Sequence, residues 1–216
     1  MVKVYRHIML LTALLITIFI FAAGLYVGFL LDGYRVDNID TSIRDVELDS
    51  ESFLAEEQFF DAFGKYDCDL LNKRILSISD KIWKIGNVLT TYDLKGNTHD
   101  KIYEDLRREF FIFKIRAYTL TKDLDDSCGK SYDVILFFYD TKDNQDSINQ
   151  GYVLDDIVKK NKEIAVFSID KDFNDSAVST LVDYYNVTIA PTVVVNYDNK
   201  FDGYNSAAKL AEAFED

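Results

Sequence analysis

Proline is nearly absent from this chain of 216 residues. The single one, Pro191, stands where an apolar run begins in "YNVTIAPTVVVN" (Tyr185–Asn196). Cysteine is almost as scarce: Cys68 and Cys128 lie far apart, so the sequence has no Cys-x-x-Cys pair. The two histidines, His7 and His99, have no Cys, His or carboxylate arrangement around them that would ligate a metal. A glycine-rich phosphate loop, a Ser–His–Asp set and a nucleophile elbow are also missing. These absences predict a protein that is not an enzyme and has no metal or other cofactor.

Basic residues are in deficit, 24 Lys and Arg against 37 Asp and Glu, for a net charge of −13. Every acid follows residue 31, and only Lys3 and Arg6 of the bases precede it. The remainder therefore has 22 bases against 37 acids, −15. Such a surface repels phosphate backbones and anionic lipid, which argues against a nucleic-acid partner. The plainer consequence of the acidity is solubility.

The first feature present is an apolar run. Ile8 to Leu31 has no charged side chain, and about 20 apolar residues cross a hydrocarbon core as a helix. A signal peptide has a shorter apolar region and a small-residue cleavage site. "FAAG" (Phe21–Gly24) matches that site poorly, and the run continues past it. Residues 1–31 are expected to be a cytoplasmic tail and an uncleaved transmembrane signal anchor, with membrane lipid as partner through residues 8–31. Lys3, Arg6 and the α-amino group precede the span while Arg35 and Arg44 follow it, a thin positive-inside margin. The short tail puts the N-terminus in the cytoplasm and the C-terminal part outside.

Residues 32–49 are acidic and without period, and read as a stalk. A helical region is expected over 50–128. It opens with "DSESFLAEEQFFDAFG" (Asp49–Gly64), a short helix with Ser50 or Ser52 as cap and Gly64 as stop. Leu71, Ile75, Ile78, Ile82, Ile85 and Leu89 then recur at steps of four and three, which is one helical stripe. After the turn "LKGN" (Leu94–Asn97), Ile102, Leu106, Phe110, Phe113, Ala117, Leu120 and Leu124 form a second. Two such helices joined by a tight turn pack antiparallel. Their stripes are core seams, or a coiled-coil contact with a partner chain. Cys68 starts the first helix and Cys128 follows the second, so the hairpin brings both to one level. A Cys68–Cys128 disulfide is expected there, of the kind that persists outside the cytosol. Two separate buried thiols are the alternative.

From residue 129 the period changes. "YDVILFFYD" (Tyr132–Asp140), "EIAVFSID" (Glu163–Asp170) and "PTVVVNY" (Pro191–Tyr197) read as strands, with "KFDGY" (Lys200–Tyr204) as a short edge strand. Helices are expected at "SINQGYVLDDIVKKN" (Ser147–Asn161), "SAVSTLVDYYNV" (Ser176–Val187) and "NSAAKLAEAFED" (Asn205–Asp216). The alternation predicts an α/β layer with parallel pairing in its first part.

That order, with Tyr185, Val187, Pro191, Thr192 and Val193–Val195 in register, resembles the thioredoxin fold over about Tyr132 to Asp216. The resemblance implies a thioredoxin-like domain over 129–216 with a cis Ala190–Pro191 bond, a form almost confined to X–Pro. It also locates a missing motif. Where relatives have their two redox cysteines, this chain has Asp143 and Asp146, and carboxylates cannot perform thiol–disulfide exchange. In redox-active relatives the backbone beside the cis-proline pairs with an extended peptide, so Ile189, Ala190 and Pro191 are a candidate peptide-binding turn. The alternative is that Pro191 only defines the turn.

"DKDFNDS" (Asp170–Ser176) begins like a calcium loop but has Asp175 and Leu181 where Gly and Glu are required. Asn174 and Asn186 begin glycosylation sequons. The expected whole is a membrane-anchored, extracytoplasmic thioredoxin-like protein without a redox motif, working as a protein- or peptide-binding or assembly module. Its protein partner is unidentified, and a helical contact through the hairpin is a further expectation. The alternatives are a thiol–disulfide oxidoreductase using Cys68 and Cys128, and a structural subunit of a membrane complex.

Overall fold

A computed structural model of the chain describes residues 12–28, 52–56, 58–59, 62, 67–96, 98, 100–129, 132–142 and 144–214. Two units divide it, Met1–Lys65 and Tyr66–Asp216. In the first, residues 12–28 are helical with exposed side chains. Among the described residues no helix is long and apolar enough to cross a membrane. The apolar run Ile8–Leu31 continues outside the described residues at both ends, as do the stalk at 32–49, Ser50 and Gly64. Ser52 is already helical, which removes it as a cap.

The second unit begins with helix α1, Cys68–Leu94, where the Asp67 carboxylate accepts the Asp69 N–H at 3.1 Å. Asp100 caps α2, Lys101–Cys128, in the same way. Orphan N–H groups at a helix start favour such an acceptor. Gly96, at φ +69°, takes the left-handed conformation at the reversal between them. Leu71, Ile78, Ile85 and Leu89 of α1 are buried, as are Leu106, Phe113, Ala117, Leu120 and Leu124 of α2. The helices pack antiparallel along these stripes. A disulfide joins Cys68 to Cys128 across the open end, with Cα atoms 5.9 Å apart.

Strand β1 spans Asp133–Tyr139, β2 Ile164–Asp170, β3 Thr192–Val195 and β4 Asn199–Asp202. Between and after them come α3 (Gln145–Lys160), α4 (Ser176–Tyr184) and α5 (Ala207–Ala211), which a 3-10 turn at Glu212–Phe214 follows. The sheet order is β2-β1-β3-β4. β1 and β2 are parallel, and β3 is antiparallel to both neighbours. This mixed α/β arrangement is thioredoxin-like, and the Ala190–Pro191 bond is cis. The last helix is shorter than the sequence suggests, because its second half is 3-10.

Side chains alternate along β1, as a pleated strand requires. Val134, Leu136 and Phe138 face one side, with Val178, Ile169 and Val194. Ile135 and Phe137 face the other, with Leu154 of α3 and Leu210 of α5. On the first side lies an element that the sequence reading assigned to the hairpin. Phe111 and Tyr118 of α2 are buried in the same core as Val134, Leu136 and Phe138. The boundary expected between 128 and 129 thus separates segments that share one core. Their second faces are accounted for without a partner chain in the case of α2, because the sheet covers it.

By chain entropy, closing a loop as long as that between Cys68 and Cys128 contributes about 4 kcal/mol. The double variant C68A/C128A is expected to lower the free energy of unfolding by up to about that amount. Urea titration followed by circular dichroism measures it, with the helical signal before the transition unchanged.

Candidate functional site

The loop after β1 and the turn before β3 meet at the carboxyl end of the central strand, and one side chain joins them. Asn144 caps α3, its Oδ1 accepting the Ser147 N–H at 3.1 Å. Its Nδ2 donates to the Ala190 carbonyl at 2.9 Å. Behind it the buried Ser147 hydroxyl accepts the Asp140 N–H at 3.3 Å. Pro191 is buried, and its carbonyl accepts the Gly203 N–H at 2.8 Å. The Thr192 hydroxyl lies 2.9 Å from both the Ile189 carbonyl and the Asp202 carboxylate, and its one proton serves them in turn.

The turn is held from behind and open in front. Ile189, in the turn itself, is an exposed large apolar side chain, as are Ile148 in the first turn of α3 and Tyr204 next to Gly203. Among the described residues no hydrogen bond engages the Ala190 N–H. Backbone donors without partners are rare where water is excluded, so this one is available to solvent or to an added strand. The Ala190 carbonyl keeps a second lone pair beside the Asn144 amide. Chemically the arrangement can bind an extended segment, and among the described residues it holds no thiol.

Of the residues singled out in the sequence, Asp146 is exposed in the first turn of α3. Asp143 and His99 lie outside the described residues, as does His7. Ile189, Ala190 and Pro191 form the turn itself. Cys68 and Cys128 are not near it. Arg107, close to the start of α2, donates to Asp170 at the carboxyl end of β2. Asp125, near the end of α2, accepts from Tyr197, whose neighbour Asn196 bonds to Val134 at the amino end of β1. α2 therefore runs the length of the sheet, and at 1.5 Å per residue the path from Arg107 to Cys128 is about 30 Å. Asn174 is exposed in the loop before α4. Asn186 is exposed at φ +48° and ends α4, with its own N–H on Asp183 and the Val187 N–H on Val182 at 2.9 Å.

The failed calcium motif has another role. Asp170 is buried and paired with Arg107 at 2.9 Å. Asp172 accepts from Lys171 at 2.6 Å and Lys142 at 3.2 Å, and the Lys171 hydrogen bond is the main influence holding its carboxyl below its ordinary range. No group of three or more ligand-type side chains suited to a metal occurs among the described residues.

Sequence reasoning missed the sheet-facing side of α2. Arg107, Phe111, Lys114 and Tyr118 recur there at steps of four, three and four. The Arg107 guanidinium lies 5.0 Å from the Phe173 ring centre. Lys114 donates to the Ser168 carbonyl at 2.9 Å and lies 4.1 Å from the Phe110 ring centre. Burial pushes its ammonium down to about 8. The hydroxyls of Tyr118 and Tyr185 bond to one another, and burial raises both. The spacing was a usable signal, obscured because charges alternate with aromatic residues.

No protein-family model and no curated protein matches the chain. Among solved structures it is similar to thioredoxin-2, described as a component of malaria parasite protein secretion machinery. The identity is 23%, over 40% of this chain and 84% of that one, with a TM-score of 0.34. It is likewise similar to Deadhead, a germline-specific thioredoxin of Drosophila melanogaster, at 20% identity over 47% of this chain and 91% of that one, TM-score 0.34. Chloroplastic thioredoxin z matches at 16% identity over 44% of this chain and 86% of that one, TM-score 0.34. At such identities a likeness concerns fold alone and says nothing of activity.

The lowered Lys114 has a measurable consequence. Between its folded value of about 8 and the ordinary 10.5, the unfolded chain holds a proton that the folded chain lacks. Its contribution to stability therefore rises with pH across that window. Lys114→Met is expected to flatten the rise, read as the change in urea midpoint between about pH 7.5 and about pH 9.5. Above pH 10 the tyrosines act oppositely. Tyr103 and Tyr139, raised to about 12 chiefly by burial, keep protons that the unfolded chain loses.

Proposed function

We propose that this chain is a membrane-anchored protein whose thioredoxin-like part, on the outer side of the membrane, binds an extended protein segment at the Ile189–Pro191 turn without redox chemistry. The observation that carries this reading is the pairing of two facts. The Ala190 N–H is unengaged among the described residues, next to the exposed Ile189, and both cysteines of the chain are joined to each other at the far end of the sheet. Strand addition needs a free backbone donor and side-chain contacts, which the turn has. Thiol exchange needs a thiolate, which it lacks. The apolar run at Ile8–Leu31 supports the anchor, and a disulfide supports an oxidising surrounding.

A second reading has its own observation. Outside the buried stripe of α1, Leu76 and Leu94 are 70% and 85% exposed. Apolar residues of that size on one helix suit a contact with a helix of a membrane complex, and the two functions are compatible.

The binding reading is tested by hydrogen exchange on the full chain with a panel of extended apolar peptides. A binding peptide is expected to slow exchange at Ala190. Ile189→Asp is expected to weaken it about tenfold, the scale of one lost buried apolar contact. A folded protein in which no peptide slows Ala190, or in which Ile189→Asp changes nothing, rules it out.

A further inference from the structure

Two sequons, Asn174-Asp175-Ser176 and Asn186-Val187-Thr188, flank helix α4. Attachment of a sugar needs the Asn side-chain amide and the hydroxyl two residues on to be reachable together, in a surface segment free of regular structure. The fold separates the two sequons on that requirement.

At the first the backbone is committed. Ser176 is the first residue of α4, and Asp175 is its cap, accepting the Ala177 N–H at 2.9 Å. The same carboxylate lies 3.4 Å from Arg108. Presenting Asn174 and Ser176 in an extended form would uncap the helix and break that pair.

At the second the side chains are uncommitted. Asn186 and Thr188 are both exposed and lie outside helix and strand. Among the described residues no hydrogen bond engages the Asn186 amide group or the Thr188 hydroxyl. The backbone between them is held instead. The Asn186 N–H donates to Asp183 and its carbonyl accepts from Lys200 at 2.8 Å. Val187 is buried in the core that contains Phe138 and Val178. The sequon is thus fixed from below, with its two reacting groups left to the surface.

An independent observation points to a sugar. Tyr184, two residues before Asn186, is 78% exposed, more than any other aromatic side chain among the described residues. Its ring is braced nearly at right angles to Tyr185, with 4.8 Å between centres. Asn186, at φ +48°, then turns the chain at the end of the helix. The C–H face of a pyranose packs well on the electron-rich face of an aromatic ring, and covering so exposed a ring is itself favourable.

We propose that Asn186, rather than Asn174, carries an N-linked oligosaccharide whose first sugar packs on Tyr184. The inference rests on the reading that this part of the chain lies outside the cytosol, where the donor, a lipid-pyrophosphate-linked oligosaccharide, meets its transferase. Nδ2 of Asn186 bonds to the anomeric carbon of the donor as the bond from that carbon to the pyrophosphate oxygen breaks. The lipid pyrophosphate leaves with the electron pair, and the amide gives up one proton.

Translation of the full chain into endoplasmic-reticulum microsomes gives separate readouts of location and modification. Protection from added protease reports location, and a step in electrophoretic mobility that peptide N-glycosidase reverses reports the sugar. A protected chain with one such step is expected, kept in Asn174→Gln and Thr188→Ser and lost in Asn186→Gln and Thr188→Val. Mobility is read on the denatured chain, so the result does not depend on a variant folding. A protected chain without the step, or a step that survives Asn186→Gln, overturns the inference and leaves the outside location standing. A digested chain overturns both. Removing the sugar from the purified protein is expected to lower its urea midpoint, and Tyr184→Ala to abolish that difference. A difference that Tyr184→Ala leaves unchanged overturns the part assigned to Tyr184.

Discussion

α2 is covered on two sides, and the unit from Tyr66 to Asp216 depends on that. One stripe, through Leu106, Phe113, Leu120 and Leu124, is buried against α1. The other, through Phe111 and Tyr118, is buried against β1 and α4. Burying a large aromatic or aliphatic side chain contributes roughly 1.5–3 kcal/mol, so losing either neighbour would expose several such residues together. The hairpin is consequently an integral layer of the sheet domain rather than an appendage to it. Polar contacts set the register of that layer. Arg107 pairs with Asp170 near one end and Tyr197 with Asp125 near the other. Lys114 reaches a carbonyl of β2, which stands at the edge of the sheet. Unpaired edge groups invite other strands, and a lysine placed on one blunts that tendency.

This arrangement distributes the chemistry of the chain. The disulfide closes the end of α2 that lies beside the start of β1, where it secures the hairpin. The carboxyl end of β1, where parallel strands leave their helix termini and loops, remains free of sulfur. Asn144 occupies that end instead, holding a helix N-terminus with one amide atom and the Ala190 carbonyl with the other. A side chain that bridges two loops stiffens the turn without using its N–H, so the proposed binding surface is preorganised while its donor stays available.

Much of this could be read in advance. The apolar stripes of α1 and α2 were plain because steps of three and four have no competing explanation over such lengths. The continuous apolar runs at β1 and β2 marked strands covered on both faces, and the antiparallel hairpin brought Cys68 and Cys128 together by geometry alone. Asn144 was half legible: a polar residue ahead of "QDSINQ" is a recognisable cap, but its bond to Ala190 joins positions far apart in sequence. The second stripe of α2 was obscured because Arg107 and Lys114 do not look like core. Their alkyl stems and aromatic neighbours can be buried only if partners exist, and the partners, Asp170 and the Ser168 carbonyl, belong to another element.

What the amino-acid order determined by itself is local and periodic: which segments are helices or strands, which faces are apolar, that no thiolate pair stands at a helix start, and that one proline precedes β3. Those follow from propensity, spacing and composition, which act within a few residues. Tertiary structure alone decided that α2 serves two cores and that Asp170 is neutralised by Arg107. Each is a relation between residues brought together from distant segments. Whether such groups are paired, crowded or left open depends on packing distances that no local pattern encodes.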